Sequence, residues 1–167
     1  LGVVGMGSLE TTAQLSAKIG VGYPLALGPL TLEAGGAATF TTLQWENNNG
    51  DTGSSQLWSL LVNARANYPM SFADGFSLTG EVGLGVLNFS GISTEAAPVF
   101  LEPGKVADGS PSMFHVRLAV GAEYSFLPNL AATFSPVFAY SPAKDGFRED
   151  ISSITRFDLL LGLAYKL

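Results

Sequence analysis

The chain of 167 residues contains no cysteine, one histidine and only eight lysine and arginine residues. The absence of cysteine excludes a disulfide framework and thiol chemistry. The formal net charge of −6 argues against nucleic-acid binding, which needs clustered positive side chains. Charged residues make up 13% of the chain, about half of the usual share of roughly 25%. With an ordinary hydrophobic content of 47%, this low charge is typical of a β-rich membrane protein in which apolar and polar positions alternate.

The sequence also lacks a hydrophobic run that could form a transmembrane helix. The longest stretch without charge, from Tyr124 to Ala143, contains Pro128, Pro136 and Pro142 together with several polar residues. A membrane-spanning helix needs about 20 predominantly apolar residues. No such helix is predicted.

Seven stretches alternate between large apolar residues and residues that are small, polar or charged. In residues 113 to 126, Phe114 and Leu118 belong to the apolar set, whereas Arg117 and Glu123 belong to the other. A period of two residues indicates a β-strand, because successive side chains point to opposite faces. A long apolar face opposite a face of small and charged residues is typical of a barrel with lipid outside and a narrow polar interior.

The predicted strands are separated by connections of two kinds. The strands are residues 9–23, 30–43, 57–68, 76–87, 113–126, 130–141 and 154–167. Short turns around 24–29, 69–75 and 127–129 alternate with longer polar loops at 44–56, 88–112 and 142–153. Outer-membrane barrels have short periplasmic turns and longer extracellular loops. The fold class is therefore predicted to be all-β, an eight-stranded antiparallel up-and-down transmembrane β-barrel forming a single domain over residues 1–167.

The eighth strand has to come from the start of the chain, because single-chain barrels of this kind close with an even number of strands. Residues 1–8 are the only candidate, and they are short for the roughly 9–11 residues that a transmembrane strand needs. The first strand is accordingly expected to be incomplete, or to be separated from residue 9 by a missing loop.

A soluble, lipocalin-like barrel is the alternative architecture, with the apolar face inside. An eight-stranded barrel has an interior just wide enough for side chains to fill, and the apolar face is too bulky for it. Aromatic residues also fall at the two ends of that face, as in the girdles of membrane barrels. The residues predicted to face lipid include Leu15, Val62, Leu84, Leu118 and Leu161.

The chain as a whole resembles the small OmpA-like and OmpX-like outer-membrane barrels. Those families end in an assembly signal with a glycine five residues before the last position and aromatic residues at the last and third-last positions. Gly162 and Tyr165 match this signal, and Leu167 is apolar but not aromatic. The resemblance implies an integral protein in the outer membrane of a Gram-negative-type bacterium. Its implied partners are membrane lipid, lipopolysaccharide and the barrel-assembly machinery.

Charged residues within the predicted strands all fall on the inward face. A lysine or arginine facing lipid at mid-depth would cost about 2–4 kcal/mol, which explains this distribution. They predict a network of ion pairs that plugs the interior, with Arg65 near Glu81 and with Arg117 near Glu81 or Asp158. The alternative is a narrow ion or small-solute pore through the same charges. The predicted network is Lys18, Glu33, Arg65, Glu81, Arg117, Glu123, Arg156 and Asp158, with Lys166 on the same face.

His115 is the residue on which an enzymatic hypothesis would depend. It is predicted to face inward near the outer rim, where Ser112 or Ser141 could approach it, and a hydrolase acting on lipid is the third functional alternative. In the lipid A deacylase family the corresponding pattern is His-x-Ser-Asn, whereas here Val116 and Arg117 follow the histidine. A hydrogen-bonded interior histidine without a catalytic role is therefore expected, with no cofactor and no metal site.

The longer loops are predicted to carry most of the negative charge. Their acidic residues exceed their basic residues by two, two and one, and an apolar triplet, Val99-Phe100-Leu101, lies in the longest. Such loops could bind a protein partner, because binding residues cluster on loops held by a rigid scaffold. The main functional expectation is a non-enzymatic barrel with a structural or surface-interaction role. The charged loop residues are Glu46, Asp51, Glu95, Glu102, Lys105, Asp108, Lys144, Asp145, Arg148, Glu149 and Asp150.

Overall fold

The computed structural model describes residues 1–6, 15–46, 52–90, 112–143, 147 and 151–166. These residues form strands and the turns between them, in line with the many β-branched and aromatic residues at alternate positions. No helix in the described residues is long and apolar enough to cross a membrane. The charged loop residues from Asp51 onward and the triplet Val99-Phe100-Leu101 lie outside the described ranges, as does Leu167. The eight strands are β1 (Gly2–Met6), β2 (Ser16–Leu27), β3 (Leu30–Glu46), β4 (Thr52–Pro69), β5 (Phe76–Ser90), β6 (Ser112–Leu127), β7 (Leu130–Pro142) and β8 (Ser153–Tyr165).

The strands form one antiparallel sheet in the order β1-β8-β7-β6-β5-β4-β3-β2. Each pair of neighbours from β2 to β8 is consecutive in sequence, and β1 pairs with β8. The predicted eight-stranded, up-and-down antiparallel fold is confirmed, including the strand at the start of the chain. Strand ends differ from the prediction: β2 continues to Leu27, so its turn contains only residues 28 and 29, and Glu46 belongs to β3 rather than to a loop.

Pro136 interrupts the hydrogen-bond ladder between β6 and β7. The β6–β7 ladder pairs Ala119 with Val137 and next pairs Ala122 with Phe134, so Pro136 lies in the interval. On its other side Pro136 lies opposite Leu159 of β8. A proline has no backbone N–H to donate, which explains why the ladder breaks on one side of this residue.

Side chains from the two ends of the sheet meet in its interior. Ser16 Oγ on β2 donates a hydrogen bond to Asp158 Oδ1 on β8, at 2.7 Å. The Arg156 guanidinium on β8 donates to Thr41 Oγ1 on β3, at 2.9 Å. The sheet therefore curls so that one of its faces becomes an enclosed interior.

The other face carries a belt of large apolar side chains that no part of the described chain covers. All five residues predicted to face lipid are exposed, from 50% for Leu118 to 83% for Leu161. Aromatic side chains lie exposed at both ends of the belt. At the end with the short turns these are Tyr23, Tyr68, Tyr124 and Tyr165, and at the opposite end Trp58, Phe114, Tyr140 and Phe157. This distribution is opposite to that of a soluble barrel.

The interior has two layers of different chemistry. Its middle and the end with the short turns contain the charged residues, as predicted, but the end from which the longer connections leave is apolar. Nine buried residues form this apolar cap: Val4, Leu43, Leu57, Leu87, Phe89, Met113, Phe147, Ile151 and Ile154. The expectation of a polar interior is therefore wrong at this end, because the inward positions at the strand ends pack against one another and not against charges.

Close approach of strands β4 and β5 requires glycine at position 85. A Cβ atom on Gly85 would overlap the carbonyl oxygen of Leu60, whereas one on Gly80 of the same strand would meet nothing within 4 Å. We expect Gly85→Ala to lower the free energy of unfolding by about 1–3 kcal/mol relative to Gly80→Ala, because the added methyl group forces the backbones apart. Urea unfolding followed by circular dichroism in detergent measures both variants, and equal stability would contradict the close approach.

Candidate functional site

Glu81 is the centre of one group of ion pairs in the interior. It accepts hydrogen bonds from Lys18 Nζ at 2.6 Å and from the Arg117 guanidinium. Lys18 lies on β2, Glu81 on β5 and Arg117 on β6, so the group spans the interior from one wall to the other. The side chain of Arg117 is among the largest that are fully buried, and burial of such a charge requires a carboxylate partner.

Glu123 is the centre of a second group nearer the end with the short turns. Its carboxylate lies 2.6 Å from Arg65 Nη2 and 2.5 Å from Lys166 Nζ, and it accepts a longer hydrogen bond of 3.3 Å from Asn67 Nδ2. Arg65 also lies 3.5 Å from Glu33. The structure thus places Arg65 with Glu123 and Glu33 rather than with Glu81, which lies opposite it in the β4–β5 register but is engaged by Lys18 and Arg117.

Arg156 and Asp158 form a third group, and both side chains are almost completely buried. Arg156 Nε lies 2.7 Å from Asp158 Oδ2, and the guanidinium also donates to Thr41 Oγ1 and Thr39 Oγ1. The three groups together contain all eight residues of the predicted network. They cross the interior at several heights, so the described residues give the pore alternative no support.

His115 and Ser141 lie side by side in the interior, on the neighbouring strands β6 and β7. His115 Nδ1 is 2.8 Å from Ser141 Oγ, and both residues are buried. Ser112, the other serine considered near His115, is exposed and accepts a hydrogen bond from Asn88 Nδ2 at 3.0 Å. The register places Val116 opposite Tyr140, and the inward residues beside these two are His115 and Ser141.

The second ring nitrogen of His115 is buried without a hydrogen-bond partner among the described residues. A buried polar atom that lacks a partner costs about 1–3 kcal/mol, and Nε2 shares this state with Arg117 Nε and Arg156 Nε. The histidine was expected to have its hydrogen bonds satisfied, and only Nδ1 fulfils that expectation. The contact between a serine hydroxyl and an imidazole nitrogen is the one that a nucleophile and its base make, and no third group that would orient the imidazole through Nε2 is present among the described residues.

The dyad of His115 and Ser141 lies between the two layers of the interior. On the side of the longer connections, Met113 is the inward residue that precedes His115 on β6. Ile154 of β8 lies opposite Ser141, and both Met113 and Ile154 belong to the apolar cap. On the opposite side, the next inward residue of β6 is Arg117, and Arg156 lies opposite Ala139 of β7. The dyad therefore has an apolar layer on one side and two buried guanidinium groups on the other.

Sequence reasoning missed the apolar cap and did not select Ser141 as the partner of His115. A signal for the cap was present, since strict alternation is lost at the strand ends where Leu57 precedes Trp58 and Met113 precedes Phe114. Alternation was a signal for Ser141, because Ser112 shares the outward side of its strand with Phe114 whereas His115 and Ser141 are both inward; the register then places Ser141 beside His115. Of the predicted assembly signal, Gly162 and Tyr165 lie on β8, and Leu167 lies outside the described residues.

Comparison with known proteins identifies a similar solved structure. No family model and no curated protein matches the sequence. The crystal structure of the outer membrane enzyme PagL is similar over 98% of this chain and 94% of its own, with a TM-score of 0.57 and 17% sequence identity. At this level of identity the likeness concerns the fold.

The expectation of a non-enzymatic barrel is wrong on this comparison. The same fold, over nearly the whole chain, is found in a protein described as an outer membrane enzyme. A small interior filled with charges thus does not indicate a purely structural or surface-interaction role, because function resides in sites on a fold and not in the fold itself. Of the functional alternatives, only the third, a hydrolase acting on lipid, is an enzyme.

Proposed function

We propose that the chain is an integral outer-membrane barrel enzyme that hydrolyses acyl esters, with Ser141 as the nucleophile and His115 as the general base. The observation that carries the proposal is the 2.8 Å contact between His115 Nδ1 and Ser141 Oγ in the interior. The similarity of the fold to an outer membrane enzyme supports it. Membership of the OmpA-like or OmpX-like families remains a prediction from the sequence pattern.

The exposed apolar belt supports a location within the membrane. Side chains such as Leu15, Val21 and Leu161 would be unfavourable in water over so wide a face, and their transfer to lipid removes that cost. Aromatic residues at both ends of the belt match the two interfaces of a bilayer. Membrane lipid and lipopolysaccharide are therefore the proposed surroundings of the barrel, and lipid is a source of acyl esters.

The proposed reaction follows the ordinary course of serine hydrolysis. In the neutral tautomer protonated at Nε2, His115 Nδ1 accepts the proton of Ser141 Oγ while that oxygen forms a bond to the ester carbonyl carbon. Collapse of the tetrahedral adduct breaks the ester C–O bond, and His115 returns the proton to the departing alcohol. A water molecule, deprotonated by His115, then attacks the acyl-serine and releases the carboxylic acid and the free Ser141 hydroxyl.

Two buried cations beside the dyad would favour the negative charge that develops on the carbonyl oxygen. Arg117 is the next inward residue after His115 on β6. Arg156 of β8 lies opposite Ala139, the inward residue that precedes Ser141 on β7. Fixed positive groups in a site that excludes water stabilise an oxyanion more than they would in solution. Glu81 and Asp158 hold these guanidinium groups in position.

The proposal predicts that Ser141 reacts with a fluorophosphonate probe. We expect the wild-type barrel in lipid vesicles to be labelled on Ser141, and labelling to be lost in Ser141→Ala and strongly slowed in His115→Ala, because the base no longer activates the hydroxyl. Mass spectrometry of the labelled peptides identifies the site. Ser59→Ala is the matched control, since Ser59 is also a buried serine but shares its hydrogen bond with Thr39, at 2.6 Å.

The control variants make the outcome specific. Ser59→Ala and Ser112→Ala are expected to be labelled as fast as the wild type. Labelling that persists in Ser141→Ala, or a folded wild-type barrel that does not react at all, would refute Ser141 as the nucleophile. Circular dichroism of each variant verifies that the barrel has folded before labelling is compared.

A further inference from the structure

The apolar cap is built from two kinds of residues. Its walls come from strands, with Leu57 on β4, Phe89 on β5 and Met113 on β6, whereas Phe147 comes from the connection between β7 and β8. The Phe147 ring packs edge-on against Phe89, with 6.1 Å between the ring centroids. Two side chains from this connection, Phe147 and Ile151, thus complete an apolar cluster whose other members lie on strands.

The dyad adjoins the apolar cap on one side and buried ion pairs on the other. Below the dyad, the Lys18–Glu81–Arg117 group and the Arg156–Asp158 pair cross the interior, and a substrate passing them would have to break buried ion pairs. On the other side of the dyad, Met113 and Ile154 belong to the cap, whose nine residues are all apolar, and the buried Ser55 lies opposite Leu43 at the same level. These apolar side chains offer a polar ligand no hydrogen bond, whereas they would bury a hydrocarbon chain away from water, which is favourable.

We propose that the apolar cap is the binding site for the hydrocarbon chain of the acyl substrate, and that Phe147 competes with this chain for the same space. The inference rests on the proposed function, since it names the substrate class of the same dyad. If a linear hydrocarbon chain takes the place of the Phe147 ring, Phe89, Leu57 and Leu87 still pack against an apolar group. Its carboxyl end then lies next to Met113 and Ile154, where His115 and Ser141 begin.

Carbene photolabelling measures chain binding without any need for hydrolysis. The Ser141→Ala protein in lipid vesicles is exposed to an octyl chain that carries a diazirine, and the modified residues are assigned by fragment mass spectrometry. We expect labels on the inward residues Leu87 and Met113 as well as on outward residues such as Leu84. When Phe147→Ala is combined with Ser141→Ala, inward labelling should rise roughly tenfold. The buried Phe147 ring no longer has to be displaced, and burial of a phenylalanine side chain corresponds to at least a tenfold change in the binding constant of the chain.

Two further variants test the identity of the competitor. Phe147→Trp keeps a bulky ring in the same place and should reduce inward labelling below that of the parent protein. Phe72→Ala removes an exposed aromatic ring at the opposite end of the barrel and should leave inward labelling unchanged. Labels confined to outward residues in every folded variant, or inward labelling that does not respond to position 147, would overturn the assignment.

Hydrolysis of a series of esters separates this inference from the proposed function. With Ser141 intact, Phe147→Ala should raise kcat/KM for 4-nitrophenyl octanoate roughly tenfold more than for 4-nitrophenyl acetate. Inward labelling without any ester hydrolysis would leave the chain-binding site in place and refute the hydrolase. Hydrolysis without inward labelling and without a dependence on chain length would refute the chain-binding site and leave the hydrolase in place.

Discussion

Replacing His115 with alanine is expected to lower kcat/KM for a 4-nitrophenyl ester by roughly 10²–10⁴-fold, the usual contribution of a general base. The expected loss reflects the 2.8 Å contact that allows Nδ1 to take the proton of Ser141. Ser141→Ala should cost at least as much, because no other hydroxyl is held against the imidazole among the described residues. Initial rates of the purified protein in detergent, at several ester concentrations, measure kcat and KM separately.

The combination of the two changes distinguishes a catalytic pair from two structural residues. A nucleophile and its base act as one unit, so the double variant Ser141→Ala, His115→Ala should be no slower than the slower single variant. His115→Gln keeps a polar side chain in the same place but cannot act as a base at neutral pH, and it should be as impaired as His115→Ala. Losses that multiply in the double variant, or full activity of His115→Gln, would contradict the assigned roles.

Replacing Asp158 with asparagine is expected to lower the free energy of unfolding by about 3–5 kcal/mol, the usual cost of leaving a buried charge unpaired. Asp158 Oδ2 forms an ion pair with Arg156 at 2.7 Å from Nε, and the hydrogen bonds of that guanidinium go to the hydroxyl groups of Thr39 and Thr41. Neither hydroxyl compensates a charge. Urea unfolding of the barrel in detergent, followed by circular dichroism, gives the difference in stability.

Two comparisons determine whether burial causes this loss. Replacing both partners with apolar residues of similar volume, Arg156→Met with Asp158→Leu, should recover most of the stability, because no charge is then buried. Lys166→Met removes an ion pair with Glu123 at a side chain that is 44% exposed, and it should cost no more than about 1 kcal/mol. If Asp158→Asn were as mild as Lys166→Met, the Arg156–Asp158 pair would not be essential to the interior.

Local rules of the chain were sufficient to predict the architecture. A period of two, sustained in residues 113–126, requires a strand with two different faces, and charged residues on a lipid-facing side would be too costly. The same rules placed Leu15, Leu118 and Leu161 on the outer face, where the structure has them exposed. Even the strand at the start of the chain followed from the need for an even number of strands.

Contacts between residues distant in sequence were decided only by the tertiary structure. The partner of Arg65 is Glu123, 58 positions away, because Glu81 on the neighbouring strand is already held by Lys18 and Arg117. In the same way, the β6–β7 register brings His115 and Ser141 together, although alternation alone already excludes Ser112 from the interior. Periodicity determines which face of a strand a residue occupies, but its neighbours across the interior depend on strand stagger and on competition for partners, which no local pattern encodes.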